Sequence, residues 1–127
     1  MAIIRHNEVE QTRGHFSRIL NRRLVVKQDG PSSFELWEQI IPSRGYIVAH
    51  SHAYTEILVF LSGRAAIDLD GTSREVEADS TVVLEPGVVH SVRNLSEAPV
   101  HLLAFHTQKA TLQYPGTSPD PVDWSRS

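Results

Sequence analysis

The sequence predicts an all-β single domain, a barrel or two-sheet jelly roll, on three observations. Short β-prone runs recur at regular spacing along the 127 residues, turn residues separate them, and no long amphipathic helix is visible. A chain of this length is one ordinary domain, long enough to bury a core and too short for two. Hydrophobic residues make up 40% and charged residues 21%, near the average of a globular chain.

Taken in order, residues 1–23 form an N-terminal lead-in, in which Ser17 to Arg23 reads as a short helical or irregular stretch. The barrel spans 24–107. Leu24 to Lys27 begin a strand ended by Asp29-Gly30-Pro31, a turn signal leading into the alternating run Phe34 to Ile41, which Pro42 stops. Glu38 and Gln39 fall on opposite faces of that run, so one of them enters the interior. Tyr46 to Ala49 lead into two histidines, Ile57 to Leu61 form the next strand, and Ser62-Gly63 turn it into Ala65 to Leu69. Asp70-Gly71 is the strongest hairpin signal present. Glu75-Val76-Glu77 alternates as a half-exposed strand does, and Thr81 to Leu84 reads as a buried one. Pro86-Gly87 turn the chain, Val89 to Arg93 carry a third histidine, and Val100 to Thr107 close the set. Residues 108–127 form an extended Pro-rich tail. Its Tyr114 and Trp124 are expected to dock on the barrel or on a second subunit, because bare aromatic surface is costly in water.

The chemistry concentrates in His50, His52, Glu56 and His90. Side chains at i and i+2 of a strand share a face, so His50 and His52 converge, and Glu56 follows at an even spacing. A single strand histidine is ordinarily a core or surface residue. Three imidazoles with a carboxylate in register are different, because burying them without an ion is expensive. The sequence therefore predicts one divalent transition metal per chain held by His50, His52, Glu56 and His90. Nitrogen and oxygen donors without thiolate suit Fe, Mn, Co, Ni or Zn and do not select among them; Fe or Mn is the expectation, with Zn, Ni or Co as the alternatives. His106 alternates in register with Val100, Leu102 and Ala104, which makes it a residue supporting the ligands before an acid or base. His101, on the opposite face, reads as solvated, and Tyr54 reads as a residue at the barrel mouth or on the surface.

The run Gly45-x4-His50-x-His52-x3-Glu56-x6-Gly63 resembles the first signature of the cupin superfamily, and Glu85-Pro86-Gly87-Val88-Val89-His90-x3-Asn94 resembles the second. The resemblance spans about residues 34 to 107 and implies a cupin-type double-stranded β-helix, a jelly-roll barrel. It implies the same four metal ligands, turn roles for Gly63 and Gly87, and a homodimer. Three turn positions depart from the pattern. Gly45 lies one residue closer to the histidines than usual, Glu85 stands where the second motif has proline, and Asp79 stands where it begins with glycine. These shifts touch loop geometry and no ligand.

With 12 basic and 15 acidic residues the net charge is −3, which leaves no electrostatic footprint for nucleic acid or an anionic membrane. No run approaches the roughly twenty apolar residues of a membrane-spanning helix, and cysteine is absent. A cytoplasmic location is the expectation. No supported nucleophile arrangement, phosphate-binding glycine loop or dinucleotide fingerprint is present, so any chemistry runs through the metal. The function expected is a mononuclear metal-dependent enzyme acting on a small organic molecule, with a dioxygenase-type reaction placed first. A non-redox isomerase, dehydratase or cyclase using the metal as Lewis acid is the alternative, as is a non-catalytic module that binds or senses a small ligand.

Overall fold

The computed structural model describes residues 1–14 and 17–115. The lead-in holds a short 3-10 turn, His6–Glu8, and ten strands follow among the described residues. They are β1 (Gln11–Arg13), β2 (Leu20–Lys27), β3 (Phe34–Ile41), β4 (Tyr46–His50), β5 (Glu56–Ser62), β6 (Arg64–Leu69), β7 (Thr72–Glu77), β8 (Ser80–Leu84), β9 (His90–Asn94) and β10 (Val100–His106). Two antiparallel sheets result, one in the order β1-β2-β3-β10-β5-β8 and the other β4-β9-β6-β7. The jelly-roll expectation is met.

Alternation builds the interior. Val100, Leu102 and Ala104 on β10, Leu58 and Phe60 on β5, and Trp37 and Ile41 on β3 point inward and meet Ile47, Ala65, Ile67 and Val92 of the second sheet. The turns follow the sequence signals. Asp70 and Gly71 both take positive φ, 47° and 88°, as a two-residue hairpin requires. A side chain at Gly63 would meet the Pro99 carbonyl oxygen at 2.8 Å.

The departures from the family pattern are absorbed by strained residues. Arg44, one position before Gly45, holds φ at +65°, and Asp79 holds +64°. Both keep the left-handed backbone that glycine adopts freely, at a cost of about 1 kcal/mol each.

Three local readings change. The stretch from Leu20 to Arg23 is strand, because β3 supplies partners for its two arginines: Arg22 pairs with Glu38 at 2.9 Å and Arg23 with Glu35 at 2.8 Å. Strand β8 is only partly buried, with Val83 56% exposed, because it lies at the edge of the larger sheet with nothing over its outer face. Gln39 is the residue that enters the interior, where it donates to Asn21 at 2.9 Å. His101 is half-buried instead of solvated, and sits 3.0 Å from Glu38 on the outer face.

Past β10 the chain doubles back over the end of the barrel. Ala110 and Leu112 are buried, Tyr114 packs against the core, and Ser51 and Gln113 exchange two backbone hydrogen bonds of 2.9 and 2.8 Å. The first part of the tail is thus docked, while Trp124 lies outside the described residues.

Candidate metal centre

The centre forms where four strand ends meet. His50 ends β4 and His90 opens β9, and the two are paired across the ladder. A register shift between Ile47 and His50 lets both face inward despite their odd spacing. Glu56 opens β5, directly opposite His106 at the end of β10. His52 follows β4, and its carbonyl accepts the Gly87 N–H at 2.8 Å, which ties the two motif loops together.

One ligand atom from each of His50, His52, Glu56 and His90 falls within 4.8 Å of all the others, and all four residues are buried. Donors around a single ion at about 2.1 Å lie up to roughly 4.2 Å apart, so closure by less than an ångström completes a coordination sphere. His90 Nε2 stands 3.2 Å and His52 Nε2 3.4 Å from Glu56 Oε1.

The tautomers are set by what the other ring nitrogens face. His50 Nδ1–H donates to the Val48 carbonyl at 2.6 Å, His90 Nδ1–H to the Val88 carbonyl at 3.0 Å, and His52 Nδ1–H to the Thr111 carbonyl. A carbonyl only accepts, so each Nδ1 carries a proton, and Nε2 is the nitrogen that faces the centre and would bind a metal. Burial, with His90 beside it, pushes His50 down to about 3, so its ring is neutral at neutral pH. Burial alone would raise the Glu56 carboxyl, but the imidazoles of His106, His52 and His90 hold it well below the usual carboxylate range. Three imidazoles and one carboxylate, without thiolate, are the donor set of a divalent transition metal.

The family model for the cupin domain matches residues 37–106. The chain belongs to the cupin superfamily. Among solved structures, this cupin is similar to a cupin-like protein from Thermotoga maritima, with 18% identity, 87% of this chain and 89% of that one covered, and a TM-score of 0.76. It is similar to the polyketide cyclase RemF from Streptomyces resistomycificus, with 19% identity, 100% and 94% covered, and a TM-score of 0.75. KdgF from Halomonas sp. shares 13% identity over 85% and 94% of the two chains, with a TM-score of 0.71. No curated protein matches the sequence.

His106 and Tyr54 join the centre of this cupin as a pair. His106 Nε2 is 3.2 Å from Glu56 Oε2, and its Nδ1 is 2.8 Å from the Tyr54 hydroxyl. The hydroxyl accepts the Thr111 N–H at 3.1 Å and can donate to the Thr111 carbonyl, also at 3.1 Å. Tyr54 is therefore neither at a mouth nor on the surface; it is buried and stacked on His52, with ring centroids 4.9 Å apart. Burial raises its phenol above the ordinary value, so the hydroxyl keeps its proton. Burial lowers His106 against the pull of Glu56, which leaves the ring neutral.

Sequence reasoning missed two contributors. Thr111 acts through its backbone, which any residue type supplies, so its identity carries no signal. Glu35 shares the inward face of β3 with Trp37 and Gln39, a relation that strand alternation contains. Its partners do not follow from alternation.

Proposed function

We propose that this cupin is a metal-dependent enzyme that moves protons on a small oxygen-bearing organic molecule, as an isomerase, dehydratase or cyclase does. The observation that carries this reading is the buried chain from Tyr54 through His106 to Glu56. His50, His52, Glu56 and His90 would hold a divalent ion, which would supply Lewis acidity toward a carbonyl or hydroxyl oxygen of the substrate.

The residues supply the proton handling. When the Tyr54 hydroxyl donates to His106 Nδ1, His106 carries its proton on Nε2 and donates toward Glu56 Oε2. When the hydroxyl turns to the Thr111 carbonyl, His106 Nδ1–H donates to the Tyr54 oxygen, and Nε2 becomes an acceptor. The two forms differ by one proton moved from Nε2 to Nδ1: Nε2 gives its proton up and Nδ1 takes another from outside the pair, and the hydroxyl turns to match, with no heavy atom displaced. A group that takes a proton at one stage and returns it at another needs both forms.

A dioxygenase is the second reading, favoured by the mixed nitrogen and oxygen donor set, which suits Fe or Mn. Hydrogen exchange separates the two. With Zn(II)-loaded protein in D2O under argon, a panel of 1,3-dicarbonyls and hydroxy ketones is expected to include compounds whose activated C–H exchanges in an enzyme-dependent way, read by NMR. Conversion found only with Fe or Mn and only with O2 present would establish the oxygenase instead.

The working unit in this proposal is a homodimer. The outer face of the larger sheet carries Leu36, Ile57, Val59, Leu103 and Phe105 only partly covered, with Leu61 41% exposed. A second copy laid on that face removes the apolar patch from water. Light scattering at micromolar concentration is expected to give about twice the 14.2 kDa chain mass, and a monomer would count against the pairing.

A further inference from the structure

We propose that Glu35 is a positioning residue for the metal centre: it clamps the strap formed by residues 110–113, and the strap in turn sets the tautomer of His52. Glu35 touches none of the four ligands. It is fully buried, and its two oxygens are saturated. Oε1 accepts from Arg23 Nη2 at 2.8 Å, Arg23 Nε at 3.3 Å and Trp37 Nε1 at 3.0 Å. Oε2 accepts from Gln28 Nε2 at 3.3 Å and from the Ala110 N–H at 2.6 Å. The Arg23 guanidinium also lies over the Trp37 ring, 5.4 Å from its centroid, which fixes the cluster from the solvent side.

The Ala110 bond is a short, charge-assisted contact across 75 residues of sequence. One residue later, the Thr111 carbonyl accepts the His52 Nδ1–H, and the same residue grips Tyr54 through its N–H and carbonyl. Two residues beyond that, Gln113 is tied to Ser51 in both directions.

The asymmetry among the ligands makes the strap matter. His50 and His90 each donate Nδ1–H to a carbonyl two residues back in their own segments, so their tautomers are set locally. His52 depends on a carbonyl 59 residues away. If the strap lifts, its Nδ1 loses the acceptor and its ring is free to move the proton to Nε2, which closes that position to a metal. Glu35 fixes one end of the strap and the Ser51–Gln113 pairing the other, on either side of the Thr111 contacts with Tyr54.

The inference rests on the metal-site reading, and the experiment separates the two. Wild-type protein, Glu35→Gln, Gln113→Pro and a control, Val100→Ala, are titrated with Zn(II) and Co(II) well below their melting temperatures. Val100 is fully buried at the start of β10, opposite Ile41 in the ladder, and its truncation lowers stability by ordinary core loss. Metal affinity is expected to fall 10- to 100-fold in Glu35→Gln and in Gln113→Pro, the range typical of residues that orient a ligand, and to hold in Val100→Ala. In the metal-free proteins, 15N NMR of the His52 ring is expected to show a single Nδ1–H tautomer in wild type and a mixture in the two strap variants. Faster amide exchange at Thr111 should accompany it.

Wild-type affinity with an unchanged His52 tautomer in the strap variants would overturn the proposal, as would an equal loss in Val100→Ala. Should Glu35→Gln fail to fold, Gln113→Pro, altered at a partly exposed position, carries the same decision. If wild-type protein binds neither ion, the metal reading fails, and the NMR comparison still decides the strap.

Discussion

Replacing His52 by alanine is expected to reduce bound metal from about one ion per chain to a trace, and to lower the melting temperature of metal-loaded protein by about 15 °C. Loss of a direct ligand exceeds the 10- to 100-fold typical of an orienting residue. An ion present at roughly a thousand times its dissociation constant stabilises the folded state by about 4 kcal/mol. For a domain of this size each kcal/mol is worth about 4 °C, and nearly all of that stabilisation disappears with the ligand. The metal-free variant falls less, by about 1 to 3 kcal/mol, because alanine leaves a void and strands the Thr111 carbonyl. Elemental analysis with paired melting curves of loaded and stripped protein checks both parts. Full metal content in the variant would remove His52 from the site.

The barrel and its buried cluster of three histidines and a glutamate are legible because each depends on local pattern. Strand alternation placed Val100, Leu102, Ala104 and His106 on one face, and the structure buries all four. The two motifs named His50, His52, Glu56 and His90, and the fold brings those four together. The pattern failed where a long-range partner overrides it. Arg22 and Arg23 made the lead-in read as irregular, since two adjacent charges look like surface. The strand forms because Glu38 and Glu35 meet them on opposite faces of β3. The opposite error occurs at Val83, whose β-branched side chain reads as core although the strand lies at a sheet edge, while Val82 on the other face packs against the core.

Tyr54 shows a third kind of limit. Its position between two ligands was plain, but whether a residue in such a step faces water depends on what covers the step. Here the cover is Thr111, which follows a turn that no periodicity describes. The residues that organise the centre from outside it are joined through main-chain atoms. Backbone donors and acceptors are common to every residue, so sequence alone does not single them out.

Replacing His106 by glutamine is expected to leave the metal in place and to lower turnover about 100- to 10,000-fold, the range supplied by a positioned acid or base. Glutamine fills a similar space and can still donate an amide hydrogen toward Glu56 Oε2 and accept from Tyr54, so the packing of the pair is kept. An amide, however, neither takes up a proton near neutral pH nor exchanges tautomers, and the transfer step stops. Tyr54→Phe makes the complementary test, because it removes the hydroxyl that partners His106 Nδ1 in either tautomer and leaves the imidazole itself in place. Its loss is expected to be smaller, with a changed pH profile, since His106 then faces no partner at Nδ1 that both donates and accepts. The decisive comparison is metal content against rate. If His106→Gln loses metal in step with His52→Ala, His106 is a fifth ligand and the proton-shuttle role is wrong. If it keeps both metal and rate, proton transfer belongs to another group.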